Sequence, residues 1–133
     1  MIHALLVEDD EGHAGIVVEA LRGRAHVQRV ETSDDALAAL AWVVPDLLLM
    51  DLRGSCTAHT SWVDHVASMR LALDAAGARA RVRRPIPLIL ASGMDPRTIE
   101  EIAGAIPHTH ALPKPFTRLD LRALVARITG DIP

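Results

Sequence analysis

The chain has 133 residues, half of them apolar, a formal net charge of −3 and a single cysteine. That length suits one domain, with a core large enough to need no staples. No apolar stretch approaches a membrane span, and Met1-Ile2-His3 opens no secretory signal. The charge, with two Trp, one Phe and no Tyr, gives no reason to expect nucleic-acid binding. Cys56 alone rules out an internal disulfide and fits a reducing cytoplasm.

Residues 3–8 form a compact apolar run and are predicted to be a strand, followed by a helix over 12–24 with Ile16, Val17, Ala20 and Leu21 on one face. His26 to Glu31 is a second, more polar strand. Ser33 is a plausible N-cap, with Asp34 and Asp35 in the first turn of a helix running to about Val43. Beyond Pro45, Asp46 to Asp51 is the third strand. Ser61 to Ala76 carries Trp62, Val66, Met69 and Leu73 as one apolar helical stripe, read as core packing, with Gly77 as its end. The cluster Arg79, Arg81, Arg83 and Arg84 that follows reads as a solvated loop, with a docking patch as the second choice.

Ile86 to Ala91 is the fourth strand. Pro96 suits the first turn of a helix that buries Ile99, Ile102 and Ala103. His110 to Pro113 is a brief fifth strand whose proline argues for a sheet edge. The last helix, from about Thr117 to Thr129, buries Leu121, Leu124, Val125 and Ile128, and Gly130 stops it. Five β–α pairs in series imply one α/β domain over residues 1–133, a mainly parallel sheet with helices on both faces. Ligands of such sheets bind outside the carboxyl ends of the strands.

The strand ends carry the chemistry. Ala4-Leu5-Leu6-Val7 runs into Glu8-Asp9-Asp10, and Leu47-Leu48-Leu49-Met50 runs into Asp51. Ser92 closes the fourth strand and Lys114-Pro115 the fifth. Any one acid at a strand end usually just begins a solvated turn. Together the set suits a hard cation such as Mg²⁺, because clustered carboxylates repel until a metal neutralises them. It also suits phosphoryl transfer onto a carboxylate: Asp51 as nucleophile, Glu8, Asp9 and Asp51 around one Mg²⁺, and Lys114 and Ser92 on the phosphoryl oxygens. Four apolar residues precede Glu8, which favours Glu8 and Asp9 as the acid pair and Asp9 as the direct ligand. A shift of one residue in the strand end would promote Asp10.

Leu6-Val7-Glu8-Asp9-Asp10, Leu48-Leu49-Met50-Asp51-Leu52, Leu90-Ala91-Ser92-Gly93 and Leu112-Pro113-Lys114-Pro115-Phe116, in this order, resemble the receiver domain of two-component response regulators over essentially the whole chain. The resemblance implies a doubly wound, flavodoxin-like sheet of order 2-1-3-4-5 and a Mg²⁺ requirement. It implies phosphoryl transfer to Asp51 from a histidine kinase or phosphotransfer protein. It further implies a cis Lys114–Pro115 peptide and a metal contact from the backbone carbonyl of Arg53.

Three positions depart from that pattern. Gly54-Ser55 replaces the usual Met-Pro type pair, which predicts a mobile loop. The stretch from Asp51 to Ser92 is long. Ala111 stands where the family often has the Tyr or Phe that reports phosphorylation, so a signal is expected to leave by another route, such as the loop after Asp51 or the lengthened third helix. Arg53 could screen or attract phosphate, or be a plain exposed arginine.

Of the seven histidines, His13, His59 and His65 fit no zinc spacing, and His108 and His110 read as polar surface residues. The leading expectation is a stand-alone cytoplasmic switch with no output domain, not an enzyme beyond its own phosphorylation and dephosphorylation. It would bind a kinase or phosphotransfer protein and a downstream protein, with no nucleic acid and no membrane. An interaction module that is never phosphorylated is the competing expectation. A flavodoxin-like cofactor binder or phosphohydrolase ranks last, since no glycine-rich phosphate loop is present.

Overall fold

The computed structural model describes residues 1–52 and 61–130. Its strands are β1 (Ile2–Val7), β2 (Ala25–Val30), β3 (Leu47–Asp51), β4 (Leu88–Ser92) and β5 (Thr109–Pro113). The helices are α1 (Glu11–Ala20), α2 (Ser33–Leu40), α3 (Trp62–Arg79), α4 (Pro96–Gly104) and α5 (Arg118–Thr129). All neighbouring strands pair in parallel, in the order β2-β1-β3-β4-β5. The expected doubly wound sheet is therefore present, with β5 at an edge as its proline requires.

The period of two along each strand divides the core. Leu5, Val7, Leu48, Met50, Leu88 and Leu90 face α2, α3 and α4, where Leu40, Val66, Met69, Leu73, Ile99 and Ile102 meet them. Ala4, Leu6, Leu47, Leu49, Ile89 and Ala91 face α1 and α5, against Ala14, Val17, Leu121 and Val125. Because both faces are covered, the strands read as continuous apolar runs. This parity also fixes which residues beyond the strand tips reach which face.

Helix α1 illustrates the balance of forces. Gly12 and Gly15 each cost about 1 kcal/mol relative to alanine inside a helix, and Ile16-Val17-Val18 is a β-branched run. Burial of Val17 and Leu21 offsets this, at roughly 1.5–3 kcal/mol per side chain. The Asp10 carboxylate caps the helix by accepting from the His13 N–H at 2.9 Å. Tertiary packing and one cap hold a helix that propensity alone would not.

Four sequence expectations shift. Ile16 is 52% exposed and stands off the buried face, which Ala14, Val17 and Ala20 form. Thr32, not Ser33, caps α2, with its hydroxyl accepting from the Asp35 N–H. Ser33 is buried instead, its hydroxyl 2.9 Å from His65 Nε2. Gly77 does not end α3: it lies inside the helix, where an added Cβ would sit 3.5 Å from Ile86 Cδ1, and the helix continues to Arg79. Arg79 donates to the Leu40 carbonyl at 2.7 Å, so only Arg81, Arg83 and Arg84 match the expected solvated loop.

Helix α5 begins with a capping box, the Thr117 hydroxyl accepting from the Asp120 N–H and the Asp120 carboxylate from the Thr117 N–H. Gly130 closes it with φ 71°. Thr117→Ala is expected to lower stability by about 1 kcal/mol, read as a lower urea midpoint with unchanged slope.

Candidate functional site

The carboxyl ends of β1, β3 and β5 meet at one cleft. Val7 pairs with Met50, so the chain positions just beyond, Glu8 and Asp51, lie side by side. Parity then sorts the side chains. Glu8 continues the alternation of Ala4 and Leu6, Asp51 that of Leu47 and Leu49, and Lys114 that of Leu112, and these are the residues of the α1/α5 face. All three line a cleft of about 420 Å³, together with His13, Ile16, Phe116 and neighbouring residues. The floor is apolar, and the charged groups gather at one end.

Within that end, Lys114 Nζ lies 3.1 Å from Asp51 Oδ2 and 3.9 Å from Glu8 Oε1. His13 Nδ1 lies 3.7 Å from Glu8 Oε1. Glu8 and Asp51 are 3% and 5% exposed. Burial pushes the Glu8 carboxyl up from 4.5 to about 7, helped by a hydrogen bond to Asp51 and by the Asp51 charge, against smaller opposing effects of the Asp10 N–H and Lys114. Glu8 thus holds its proton at a pH where water would ionise it. A single ammonium does not neutralise two desolvated carboxylates.

Arg29 on β2 secures the turn that carries Glu8. Its Nε donates to the Glu8 carbonyl at 2.9 Å and its Nη2 to the Asp9 carbonyl at 3.1 Å. Sequence reasoning missed this arginine, because only parallel pairing of β1 with β2 brings position 29 beside position 8.

The expected site residues fall into distinct places. Glu8, Asp51 and Lys114 come together. Asp9 is exposed and is not among the three residues whose ligand atoms lie within 4.8 Å of one another, which are Glu8, His13 and Asp51. Asp9 takes the parity of Leu5 and Val7, away from the α1/α5 face. Asp10 is exposed and occupied as the α1 cap, its carboxyl held below the usual range first of all by the His13 N–H. Ser92 is buried at the tip of β4, its hydroxyl accepting from the Met94 N–H at 3.1 Å, and it is not among the cleft-lining residues. Arg53, Gly54, Ser55, Cys56 and His59 lie outside the described residues. The Lys114–Pro115 peptide is cis, as the resemblance implied.

Spacing alone gives His13 no metal role, yet it stands at the cleft beside Glu8 and Asp51. The signal available was Asp10 as an N-cap, which places position 13 in the first turn of α1 and hence beside the end of β1.

The donor set fits a divalent cation. Two buried carboxylates present hard oxygens side by side, and Mg²⁺ ordinarily takes one or two such groups with water completing its shell.

No protein-family model and no curated protein sequence matches the chain. Solved structures do. The receiver domain of a sensor histidine kinase from Pseudomonas aeruginosa, with a magnesium ion coordinated in its active-site cleft, superposes with a TM-score of 0.73 at 22% identity, over 97% of this chain and 98% of that one. The chemotaxis response regulator CheY4 of Vibrio cholerae gives 0.73 at 18% identity, over 96% and 98%. The BeF₃-activated receiver domain of DrrB, a Thermotoga maritima protein, gives 0.73 at 18% identity, over 98% of both chains. The chain has the fold of response-regulator receiver domains.

Proposed function

We propose that the protein is a cytoplasmic phosphorylation switch of a two-component system, taking a phosphoryl group on Asp51 from a histidine kinase or phosphotransfer protein and signalling through another protein. The observation that carries this reading is the Lys114 ammonium 3.1 Å from Asp51, beside a second buried carboxylate, Glu8, at the carboxyl edge of the sheet. Asp51 acts as the nucleophile: a carboxylate oxygen attacks phosphorus and the donor's leaving group departs, giving an acyl phosphate. Lys114 holds Asp51 oriented, then follows the new negative charge onto a phosphoryl oxygen. Glu8 is positioned by Arg29 and keeps a second carboxylate against the reacting one. Glu8 and Asp51 would hold a Mg²⁺ ion, which when bound would supply charge neutralisation for the phosphoryl group. Ser92, at the tip of β4, lies one strand from Asp51 and offers a hydroxyl if the Met94 contact yields.

The reading is tested with a small-molecule phosphate donor, by intact-mass spectrometry with and without Mg²⁺. A Mg²⁺-dependent phosphoryl adduct is expected; none under any donor would sink the proposal. Lys114→Ala is expected to slow adduct formation by about 100-fold with the fold retained.

Ala111 favours a second reading, an interaction module that does not switch. It sits half-buried against the α2–α4 core, and a methyl group has no alternative rotamers to signal with. Beryllofluoride separates the two, since partner affinity changes on its addition only for a switch.

A further inference from the structure

One residue of the cleft has no part in the phosphoryl chemistry. His13 brings an imidazole nitrogen to within 4.8 Å of ligand oxygens from both Glu8 and Asp51. Its place is fixed from below, because its own N–H is tied to the Asp10 cap at 2.9 Å. The ring is 55% exposed and lies 3.7 Å from Glu8, free to turn onto an ion bound between the carboxylates.

Imidazole discriminates among cations. Mg²⁺ prefers oxygen and keeps its water rather than exchange it for nitrogen. Zn²⁺, Co²⁺ and Ni²⁺ bind imidazole well, and two carboxylates with one histidine leave open positions for water. Both oxygens come from buried carboxylates and the nitrogen from an exposed ring, and the three donor atoms lie within 4.8 Å of one another.

We propose that Glu8, His13 and Asp51 form a three-ligand site for a divalent transition cation of the Zn²⁺ or Co²⁺ type, which competes with Mg²⁺ for the same two carboxylates. The inference deepens the reading above, resting on Glu8 and Asp51 as cation ligands. It makes the switch sensitive to which metal is available: Glu8 and Asp51 take either ion, and only the transition ion also engages His13.

Co²⁺ binding by visible absorption, Zn²⁺ binding by competition against Co²⁺ and Mg²⁺ binding by calorimetry give the affinity ratios. The parent is expected to bind Co²⁺ more tightly than Mg²⁺, with Mg²⁺ displacing Co²⁺ competitively. In His13→Ala the Co²⁺ to Mg²⁺ ratio is expected to fall by at least about threefold, and a smaller fall overturns the proposal. His13→Gln, which keeps a polar side chain without the imidazole nitrogen, gives the same reading should the alanine variant fold poorly. Loss of Co²⁺ binding in His3→Ala/His26→Ala or His108→Ala/His110→Ala, with His13 variants unaffected, also overturns it. Mg²⁺-dependent labelling of the parent alongside an unchanged ratio sinks this inference alone. Failure of both labelling and all cation binding sinks the switch reading with it.

Discussion

Asp51→Asn is expected to reduce Mg²⁺-dependent phosphoryl labelling to background. The asparagine amide keeps the shape of the side chain but has no anionic oxygen to attack phosphorus. The variant also removes one of two crowded charges. Glu8, relieved of the Asp51 charge, then ionises nearer its ordinary range. The metal-free variant is accordingly expected to be at least as stable as the parent near neutral pH, so lost labelling cannot be put down to unfolding. Peptide mapping is the decisive measurement. An adduct of parental yield in the variant places the acceptor elsewhere and removes the basis of the proposed function.

The second large effect is on stability against pH in the absence of divalent cations. Glu8 is raised from 4.5 to about 7 in the folded protein, so the native state binds a proton that the unfolded chain releases. Its contribution is fully present below the unfolded value and is lost as pH rises through about 7. The loss amounts to something on the order of 2 kcal/mol over that window. In chelator, the parent is expected to be less stable near about pH 8 than near about pH 5 by this amount relative to Glu8→Gln, whose amide does not titrate. Urea unfolding of both proteins at the two pH values checks it. The difference between parent and variant isolates Glu8 from the histidines, which titrate in both. A parent-minus-variant difference that is flat with pH would show that Glu8 is not proton-linked.

These expectations share one physical cause. Folding places two carboxylates side by side in a poorly hydrated cleft with one ammonium between them. The arrangement costs stability until a proton, a cation or covalent modification relieves it. The same crowding makes the site responsive: each relieving event changes the charge at a fixed point on the sheet edge, where it can bias the neighbouring loops.

The sheet was legible because apolar runs of strand length alternate with helical stripes. Asp51 and Lys114 were legible because an acid and a lysine end otherwise apolar strands. Counting residues does not give parity at a strand tip, so it does not separate Glu8 from Asp9. Glu8 alone of the first acids continues the inward alternation. Ser33 was taken for a cap because hydroxyls favour that position, but Thr32 just before it holds the cap and Ser33 meets His65 from α3. Gly77 looks like a helix end because glycine often is one, yet the helix runs on through it to Arg79.

The amino-acid sequence by itself determined the order of elements, the two-sided burial of the sheet and the residue types at its carboxyl edge, since periodicity and strand termination are local properties of the chain. Tertiary structure alone decided that Glu8 rather than Asp9 groups with Asp51, that Arg29 clamps the turn that carries Glu8 and that His13 joins the pair. These depend on register between strands and on where α1 packs. Distances between residues far apart in the chain are set by the assembled core, not by any stretch of sequence.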